Sequence, residues 1–212
     1  MKILFFGDSI TDMCRHQERD DAFGMGEGYV FYIAGDIKRQ DPSIEVINRG
    51  ISGNRIVDLY ARIKRDVWNH RPDILSVLIG INDVWHEIES NNGVELDRFI
   101  KVYDMLISDT LQVLPEIKIV LCEPFVLKGP VTEENYESFL QVKEYAKAIK
   151  VLAEKYSLEF LPLQDKLNKA AKKNCVSVYL YDGVHPDTAG ARLIADEWMN
   201  LYNKKIKKKQ EK

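Results

Sequence analysis

The first apolar run of the chain stops at Gly7, and an acid and a hydroxyl, Asp8 and Ser9, follow it in the stretch FFGDSI. A serine hydroxyl becomes an effective nucleophile when a base removes its proton, and neutral histidine is the usual base. Near the other end of the chain, Asp182 and His185 lie three residues apart in the stretch DGVH. A carboxylate placed there can fix the tautomer of the histidine and stabilise the imidazolium that forms during catalysis. These three side chains predict a nucleophile, its base and the partner of the base.

Attack on a carbonyl also creates an oxyanion, and two further stretches could supply donors for it. Gly53 in NRGISGN can offer a backbone N–H, and Asn82 in GIND can offer its side-chain amide. The backbone N–H of Ser9 is a third donor. Each stretch alone is typical of an ordinary turn or helix cap. Their combination, each next to an apolar run, predicts one site for acyl transfer.

The elements that must position these residues are visible as short apolar runs that alternate with amphipathic segments. The strand-like runs, rich in Ile, Val, Leu and Phe without polar alternation, are residues 2–6, 44–49, 73–80, 117–124 and 158–163. Helical spacing of apolar residues predicts helices over residues 29–39, 56–67, 96–114, 139–156 and 188–202. This order predicts an α/β fold with a five-stranded parallel sheet that has helices on both faces. Ligands bind at the carboxyl ends of such strands, where the stretches around Ser9, Gly53 and Asn82 would converge.

Length and composition predict a single domain over residues 1–202, followed by a solvated basic tail over 203–212. The chain has 212 residues, 45% hydrophobic and 30% charged, which suffices for a sizeable core. A net charge of −3 gives no basic face for nucleic acid. Neither a signal peptide nor an apolar run of about 18 residues is visible, so we expect no membrane partner. Three scattered cysteines predict neither disulfides nor a metal site, and they favour a cytoplasmic location.

The four stretches together resemble the SGNH subgroup of the GDSL esterases and lipases. The matching blocks are FGDSIT around Ser9, NRGISGN around Gly53, GIND around Asn82, and DGVH around Asp182 and His185. The segments at residues 26–30, 48–62 and 79–87 are further similar to the acetylxylan-esterase-like branch, whose bacterial members remove acetyl groups from xylan fragments.

This resemblance implies a flavodoxin-like three-layer α/β/α sandwich, which is the SGNH hydrolase fold, with no metal and no cofactor. It also implies Ser9 as nucleophile, His185 as base and Asp182 as its partner, with an oxyanion hole formed by Ser9, Gly53 and Asn82. Assembly into homo-oligomers is a further implication.

Several other polar or aromatic residues are expected near the crevice. Trp85 follows Asn82 closely, and its ring either stacks on a sugar or packs in the interior. The other expected wall residues are Asp8, Arg55 and Val184. Asp8 and Asp83 are expected to hold neighbouring loop backbone and to make the crevice acidic, which favours neutral over anionic substrates. The remaining histidines, His16, His70 and His86, are interpreted as surface or structural residues.

The predicted function is a serine esterase that forms an acyl-enzyme and hydrolyses short acyl esters of carbohydrates, such as acetylated xylo-oligosaccharides. The small-molecule partner is therefore an acetylated sugar. A lysophospholipase or thioesterase of the same family is the main alternative, although no extra apolar lid is visible. A metal-dependent phosphoesterase would need more Asp and His ligands than these stretches supply. A non-catalytic carbohydrate-binding domain is disfavoured because every catalytic position is filled.

Overall fold

Five parallel strands form one sheet in the computed structural model, which describes residues 1–206. The strands are β1 (Lys2–Gly7), β2 (Glu45–Gly50), β3 (Ile74–Leu78), β4 (Lys118–Cys122) and β5 (Glu159–Leu161). Their order across the sheet is β2-β1-β3-β4-β5, the flavodoxin-like order. The chain reverses its direction across the sheet between β1 and β3, so a crevice opens at the carboxyl ends of these two strands.

Ten α-helices surround the sheet. They are α1 (Ser9–Asp12), α2 (Tyr29–Gln40), α3 (Ile56–Asp66), α4 (Ile81–Ser90), α5 (Leu96–Val113), α6 (Tyr136–Phe139), α7 (Val142–Lys155), α8 (Gln164–Lys173), α9 (Val176–Tyr179) and α10 (Thr188–Leu201) within residues 1–206. Short 3₁₀ helices cover Ala22–Met25 and Trp68–His70. Helix α2 packs against α10, whereas α3 and α7 pack against α5. Right-handed crossovers place these two groups on opposite faces of the sheet, which confirms the expected three-layer sandwich.

The interior of the sheet explains why its strands lack polar alternation. Ile3, Leu4, Phe5 and Phe6 are consecutive in β1, and all four are fully buried because helices cover both faces. Trp198 of α10 reaches this core, where its ring centroid lies 5.1 Å from that of Phe5. This packing fixes α10 against the sheet.

A hydrogen bond strengthens the anchorage of α10. The indole Nε1 of Trp198 donates to Oγ of Ser76 in β3 at 3.1 Å, so the indole N–H is satisfied inside the core. Because α10 begins three residues after His185, this anchor also helps to fix the position of the predicted base.

Residues 203–206, which were expected to belong to a solvated tail, pack against the domain in the structure. Residues Tyr202–Ile206 extend α10 as a π-helical turn, and Ile206 is only 3% exposed. Lys118 Nζ donates to the main-chain oxygen of Ile206 at 3.4 Å, and Lys205 pairs with Glu159. Burial of the apolar side chain of Ile206 therefore packs residues 203–206 against the domain. Residues 207–212 lie outside the described part of the chain. Within residues 1–206, no helix is both long and apolar enough to cross a membrane.

Candidate active site

Ser9 is the first residue of α1, immediately beyond the carboxyl end of β1. Asp8 caps this short helix, because its Oδ1 accepts the backbone N–H of Ile10 at 3.0 Å. The first N–H groups of a helix have no partner within the helix. The backbone N–H of Ser9 is therefore available at the rim of the sheet, beside its own hydroxyl.

A chain of two hydrogen bonds joins Ser9 to His185 and Asp182. Nε2 of His185 lies 2.9 Å from Oγ of Ser9, and Nδ1 lies 2.6 Å from Oδ2 of Asp182. The carboxylate can only accept, so Nδ1 carries the proton and Nε2 is left to accept the proton of the Ser9 hydroxyl. The three side chains are thus arranged for removal of the serine proton.

Asp182 is held in its ionised form. Burial by itself would raise the pKa of Asp182, but hydrogen bonds from the ring and the backbone of His185 and from the backbone of Val184 lower it below its ordinary value. Oδ1 accepts the backbone N–H groups of His185 at 2.7 Å and Val184 at 2.8 Å. A carboxylate fixed in this way stabilises an imidazolium beside it.

The segment that carries Asp182 and His185 is a tight antiparallel turn. Leu180 and Pro186 form an antiparallel bridge, and the backbone N–H of Tyr181 donates to the oxygen of His185 at 3.1 Å. Gly183 in the turn has a φ of +103°, in the region that favours glycine. The acid and the base are therefore held within one turn, as their spacing predicts.

The loop after β4 holds this turn from beneath. The backbone N–H of Leu127 donates to the oxygen of Gly183 at 2.8 Å, and that of Val131 donates to the oxygen of Asp182 at 3.0 Å. A Cβ on Gly183 would lie 2.6 Å from both the oxygen of Leu127 and Oγ1 of Thr132. This position therefore requires glycine for space as well as for conformation.

Gly53 and Asn82 reach the same crevice from the ends of β2 and β3. Gly53 has a φ of +80°, and Asn82 lies in the first turn of α4. Nδ2 of Asn82 donates one hydrogen to the main-chain oxygen of Asn54 at 3.1 Å, which leaves its second amide hydrogen for a ligand. Together with Ser9 and His185, these residues line a crevice of about 380 Å³.

The expectation that Asp8 and Asp83 make the crevice acidic is wrong. Both side chains are buried, with 0% and 1% exposure. Burial raises the pKa of Asp8 to about 7. The pKa of Asp83 is raised to about 8 by its own burial and by the nearby carboxyl group of Asp8. Both carboxyl groups hold loop backbone, as expected: Asp83 accepts the N–H of Ile56 at 3.0 Å, where α3 begins.

The remaining expected wall residues divide into one that lines the crevice and two that do not. Trp85 lines it, with its ring centroid 5.8 Å from that of His185. Val184 is fully buried. Arg55 is engaged elsewhere, because its guanidinium donates to Asp58 at 3.0 Å and to the main-chain oxygen of Asn92 at 2.6 Å. Like Asp8, these two residues do not form part of the crevice wall.

His86 borders the crevice beside Trp85, as its position shortly after Asn82 and Asp83 indicates, and the structure adds residues that were not expected there. They are Met13, Cys14, Ser52, Glu89 and Tyr181. Tyr181 and Ser52 could have been anticipated from their positions next to Asp182 and Gly53, whereas Met13, Cys14 and Glu89 depend on the folding of α1 and α4. No group of three or more His, Cys, Asp or Glu residues within 1–206 is arranged to hold a metal ion.

Comparisons with known proteins give consistent matches over most of the chain. Residues 5–193 match the sequence profile of the GDSL-like lipase/acylhydrolase family. An acetylxylan esterase from Geobacillus stearothermophilus is 36% identical over 200 residues, which cover 92% of this chain and 90% of that protein. Its crystal structure superimposes with a TM-score of 0.83 over 94% of this chain and 92% of that one, at 32% identity. A candidate GDSL-like lipase from Parabacteroides merdae gives a TM-score of 0.89 at 35% identity, with 95% of each chain covered.

Structures of three variants of the Geobacillus enzyme are described as those of catalytic mutants. They replace a serine, an aspartate and a histidine with alanine, and that histidine lies three residues after the aspartate.

Proposed function

The chain belongs to the GDSL-like lipase/acylhydrolase family and is a carboxylic ester hydrolase. From this premise, we propose that it is a serine esterase that removes acetyl groups from carbohydrates such as acetylated xylo-oligosaccharides. The observation that carries the proposal is the hydrogen-bonded chain from Ser9 through His185 to Asp182, at 2.9 and 2.6 Å. The spacing of Asp182 and His185 equals that of the aspartate and histidine in the catalytic mutants of the Geobacillus enzyme.

In the first half of the proposed reaction, Oγ of Ser9 attacks the ester carbonyl carbon while its proton passes to Nε2 of His185. The new bond makes a tetrahedral oxyanion, and Asp182 stabilises the imidazolium. When the oxyanion collapses, the bond to the sugar oxygen breaks and His185 returns the proton to that oxygen. The sugar leaves as an alcohol, and the acetyl group stays on Ser9.

In the second half, a water molecule replaces the sugar. His185 takes a proton from the water, and the hydroxyl oxygen attacks the acetyl carbon. Collapse of the second oxyanion breaks the bond to Oγ of Ser9, to which His185 returns the proton, and acetic acid leaves and ionises to acetate. The backbone N–H groups of Ser9 and Gly53 and the free amide hydrogen of Asn82 are the proposed donors to both oxyanions.

The charge of the crevice supports a neutral substrate. Glu89 is the one carboxylate among its lining residues in the described part of the chain, and no lysine or arginine lines it. A phospholipid headgroup or the phosphates of a coenzyme A thioester would find no cationic partner there. A sugar ester needs none, and the ring of Trp85 offers an apolar surface for a sugar face.

The decisive experiment compares acetate release from acetylated xylo-oligosaccharides with hydrolysis of p-nitrophenyl acetate, p-nitrophenyl octanoate, lysophosphatidylcholine and acetyl-coenzyme A. We expect the highest kcat/KM on the acetylated oligosaccharides. A preference for the octanoate ester or for lysophosphatidylcholine would support a lysophospholipase instead, and a preference for the coenzyme A ester would support a thioesterase.

Two serine variants distinguish hydrolysis by Ser9 from hydrolysis by a contaminating esterase and from a loss of activity caused by disruption of the fold. Ser9→Ala is expected to remove nearly all hydrolysis with the fold intact. Ser43→Ala is the matched control, because Ser43 is exposed and its hydrogen bonds within residues 1–206 go to Asp41 of its own turn. Retention of a tenth of the activity in Ser9→Ala would show that Ser9 is not the nucleophile. Homo-oligomer formation and a cytoplasmic location stay predictions.

A further inference from the structure

The ring of Tyr181 lies on the ring of His185. The two ring centroids are 5.7 Å apart and the ring planes are inclined by only 16°, so the rings are stacked. Tyr181 is 48% exposed and lines the crevice, so one side of its ring faces solvent and the other faces the imidazole. This contact belongs to neither the hydrogen-bonded chain nor the oxyanion donors.

The backbone of the turn makes this stacking a local consequence of the sequence. The bridge between Leu180 and Pro186, with the N–H of Tyr181 donated to the oxygen of His185, places Tyr181 and His185 directly opposite each other. Side chains of directly opposed residues in an antiparallel pair lie on the same face and contact each other. Any large flat side chain at position 181 would therefore meet the imidazole.

Two effects of such a ring bear on catalysis. A stacked ring restricts rotation of the imidazole, which must hold Nε2 toward Ser9 and Nδ1 toward Asp182 at the same time. The imidazole also becomes a cation each time it takes the serine proton, and an aromatic face within about 6 Å attracts a cation. Trp85 adds a second aromatic contact, tilted by 51° at 5.8 Å.

We propose that Tyr181 is a positioning residue whose aromatic ring holds the imidazole of His185 in the orientation that accepts the Ser9 proton. The proposal rests on the proposed function, since it assigns His185 as the base. It assigns the effect to the ring and none to the phenol hydroxyl, and it places the effect in turnover rather than in substrate binding.

The test measures kcat and KM on p-nitrophenyl acetate for the full chain and for Tyr181→Leu and Tyr181→Phe. We expect Tyr181→Leu to lower kcat by about 3- to 10-fold, the size of a favourable aromatic pair, with KM within about twofold. Tyr181→Phe keeps the ring, so its kcat should stay within about twofold of the original. A second readout is the low-field NMR signal of the proton between Nδ1 of His185 and Asp182, which should broaden in Tyr181→Leu and persist in Tyr181→Phe.

Phe31→Leu is the matched control, since Phe31 is also 48% exposed and its ring meets Tyr32 rather than His185. Its kcat should be unchanged. Should Tyr181→Leu fail to fold, Tyr181→Gln replaces it, because that side chain is also long but carries no ring. Unchanged kcat in the folded variant, a change confined to KM, or an equal loss in Tyr181→Phe would each overturn the proposal. Activity retained in Ser9→Ala would instead defeat the proposed function itself, so the two failures are distinguishable.

Discussion

Nδ2 of Asn82 donates to the main-chain oxygen of Asn54 at 3.1 Å, and this bond ties the loop after β2 to the start of α4. It fixes the plane of the Asn82 amide before any substrate arrives. Donors that are already oriented stabilise an oxyanion without reorganisation during the reaction. In the proposed oxyanion hole, the bond to Asn54 therefore leaves the second amide hydrogen of Asn82 already oriented.

Replacement of Asn82 by alanine should lower turnover far more than substrate binding. In the proposed mechanism the lost donor acts on the oxyanion, which exists only in and near the transition state. We expect kcat to fall by about 10²- to 10³-fold and KM to change by less than about threefold. Steady-state kinetics on p-nitrophenyl acetate give both constants, and Asn174→Ala is a control at an exposed amide away from the crevice. A kcat equal to that of the control would remove Asn82 from the oxyanion hole.

Asp182→Asn tests the role of the carboxylate. An asparagine oxygen can still accept the backbone N–H groups of Val184 and His185, so we expect the turn to persist. Its NH₂ group would face Nδ1, which favours the tautomer that has the proton on Nε2 and cannot accept one from Ser9. We expect kcat to fall by about 10⁴-fold, the loss known from serine proteases with the same change. A loss under about tenfold in a folded variant would contradict the assignment of Asp182.

Asp83→Asn should alter how stability depends on pH. The pKa of Asp83 is raised from 3.8 to about 8, so the folded chain keeps a proton that the unfolded chain releases above about pH 4. The free energy of unfolding therefore falls progressively as pH rises from about 4 to about 8. Above that range the contribution of Asp83 to this loss is constant. The variant cannot ionise there and can still accept the N–H of Ile56.

Relative to the original chain, Asp83→Asn should gain stability across that range, on the order of a few kcal/mol by pH 8. Urea unfolding at pH 5, 6, 7 and 8 measures the difference directly. Asp97→Asn, at an exposed carboxylate in α5, should show no comparable trend. If the free energies of unfolding of the original chain and of Asp83→Asn depended on pH in the same way, Asp83 would be ionised in the folded state from pH 5 to pH 8.

Two glycine substitutions with opposite expected signs test the support of the acid–base turn. Gly183→Ala introduces a methyl group 2.6 Å from the oxygen of Leu127, at a φ of +103°. We expect a loss of about 1–3 kcal/mol in stability and a fall in kcat, since the turn carries both Asp182 and His185. Gly35→Ala in α2 meets no atom within 4 Å, so we expect a gain of about 0.5–1 kcal/mol and normal activity. Thermal unfolding and kcat, measured on both variants, separate the two cases; equal stability for both would contradict the close packing at Gly183.

The strands and their order could be predicted because each strand is a continuous apolar run such as Ile3 to Phe6, and because parallel sheets leave few topologies open. The convergence of Ser9, Gly53 and Asn82 followed from strand ends that share one rim, whereas His185 was assigned from its spacing to Asp182 and from the base that a serine nucleophile needs. Features set by side-chain packing could not be predicted. The run GIND resembles a turn, yet Asn82 and Asp83 lie in the first turn of α4. The burial of Asp83 depends on the start of α3, far away in sequence.

The same reason accounts for the other differences from expectation. Arg55 is adjacent to the predicted oxyanion loop in sequence, but its guanidinium turns to Asp58 and Asn92. Ile206 lies in a run of lysines, and only the surface beside β4 and β5 shows where its side chain can be buried. Tyr181 is next to the predicted residue Asp182, but the backbone bridge that places its ring on His185 cannot be seen in the amino-acid sequence.

Ser9 and His185 are 176 residues apart in the chain and 2.9 Å apart in the site. During synthesis the serine leaves the ribosome early and the histidine late, and the bond from Trp198 of α10 to Ser76 helps to hold the segment that carries the histidine. A nascent chain therefore carries an inert hydroxyl until the segment that contains His185 and α10 has been made. The ability to cleave an ester marks the completion of the whole domain, and a simple activity assay reports on folding as well as on chemistry.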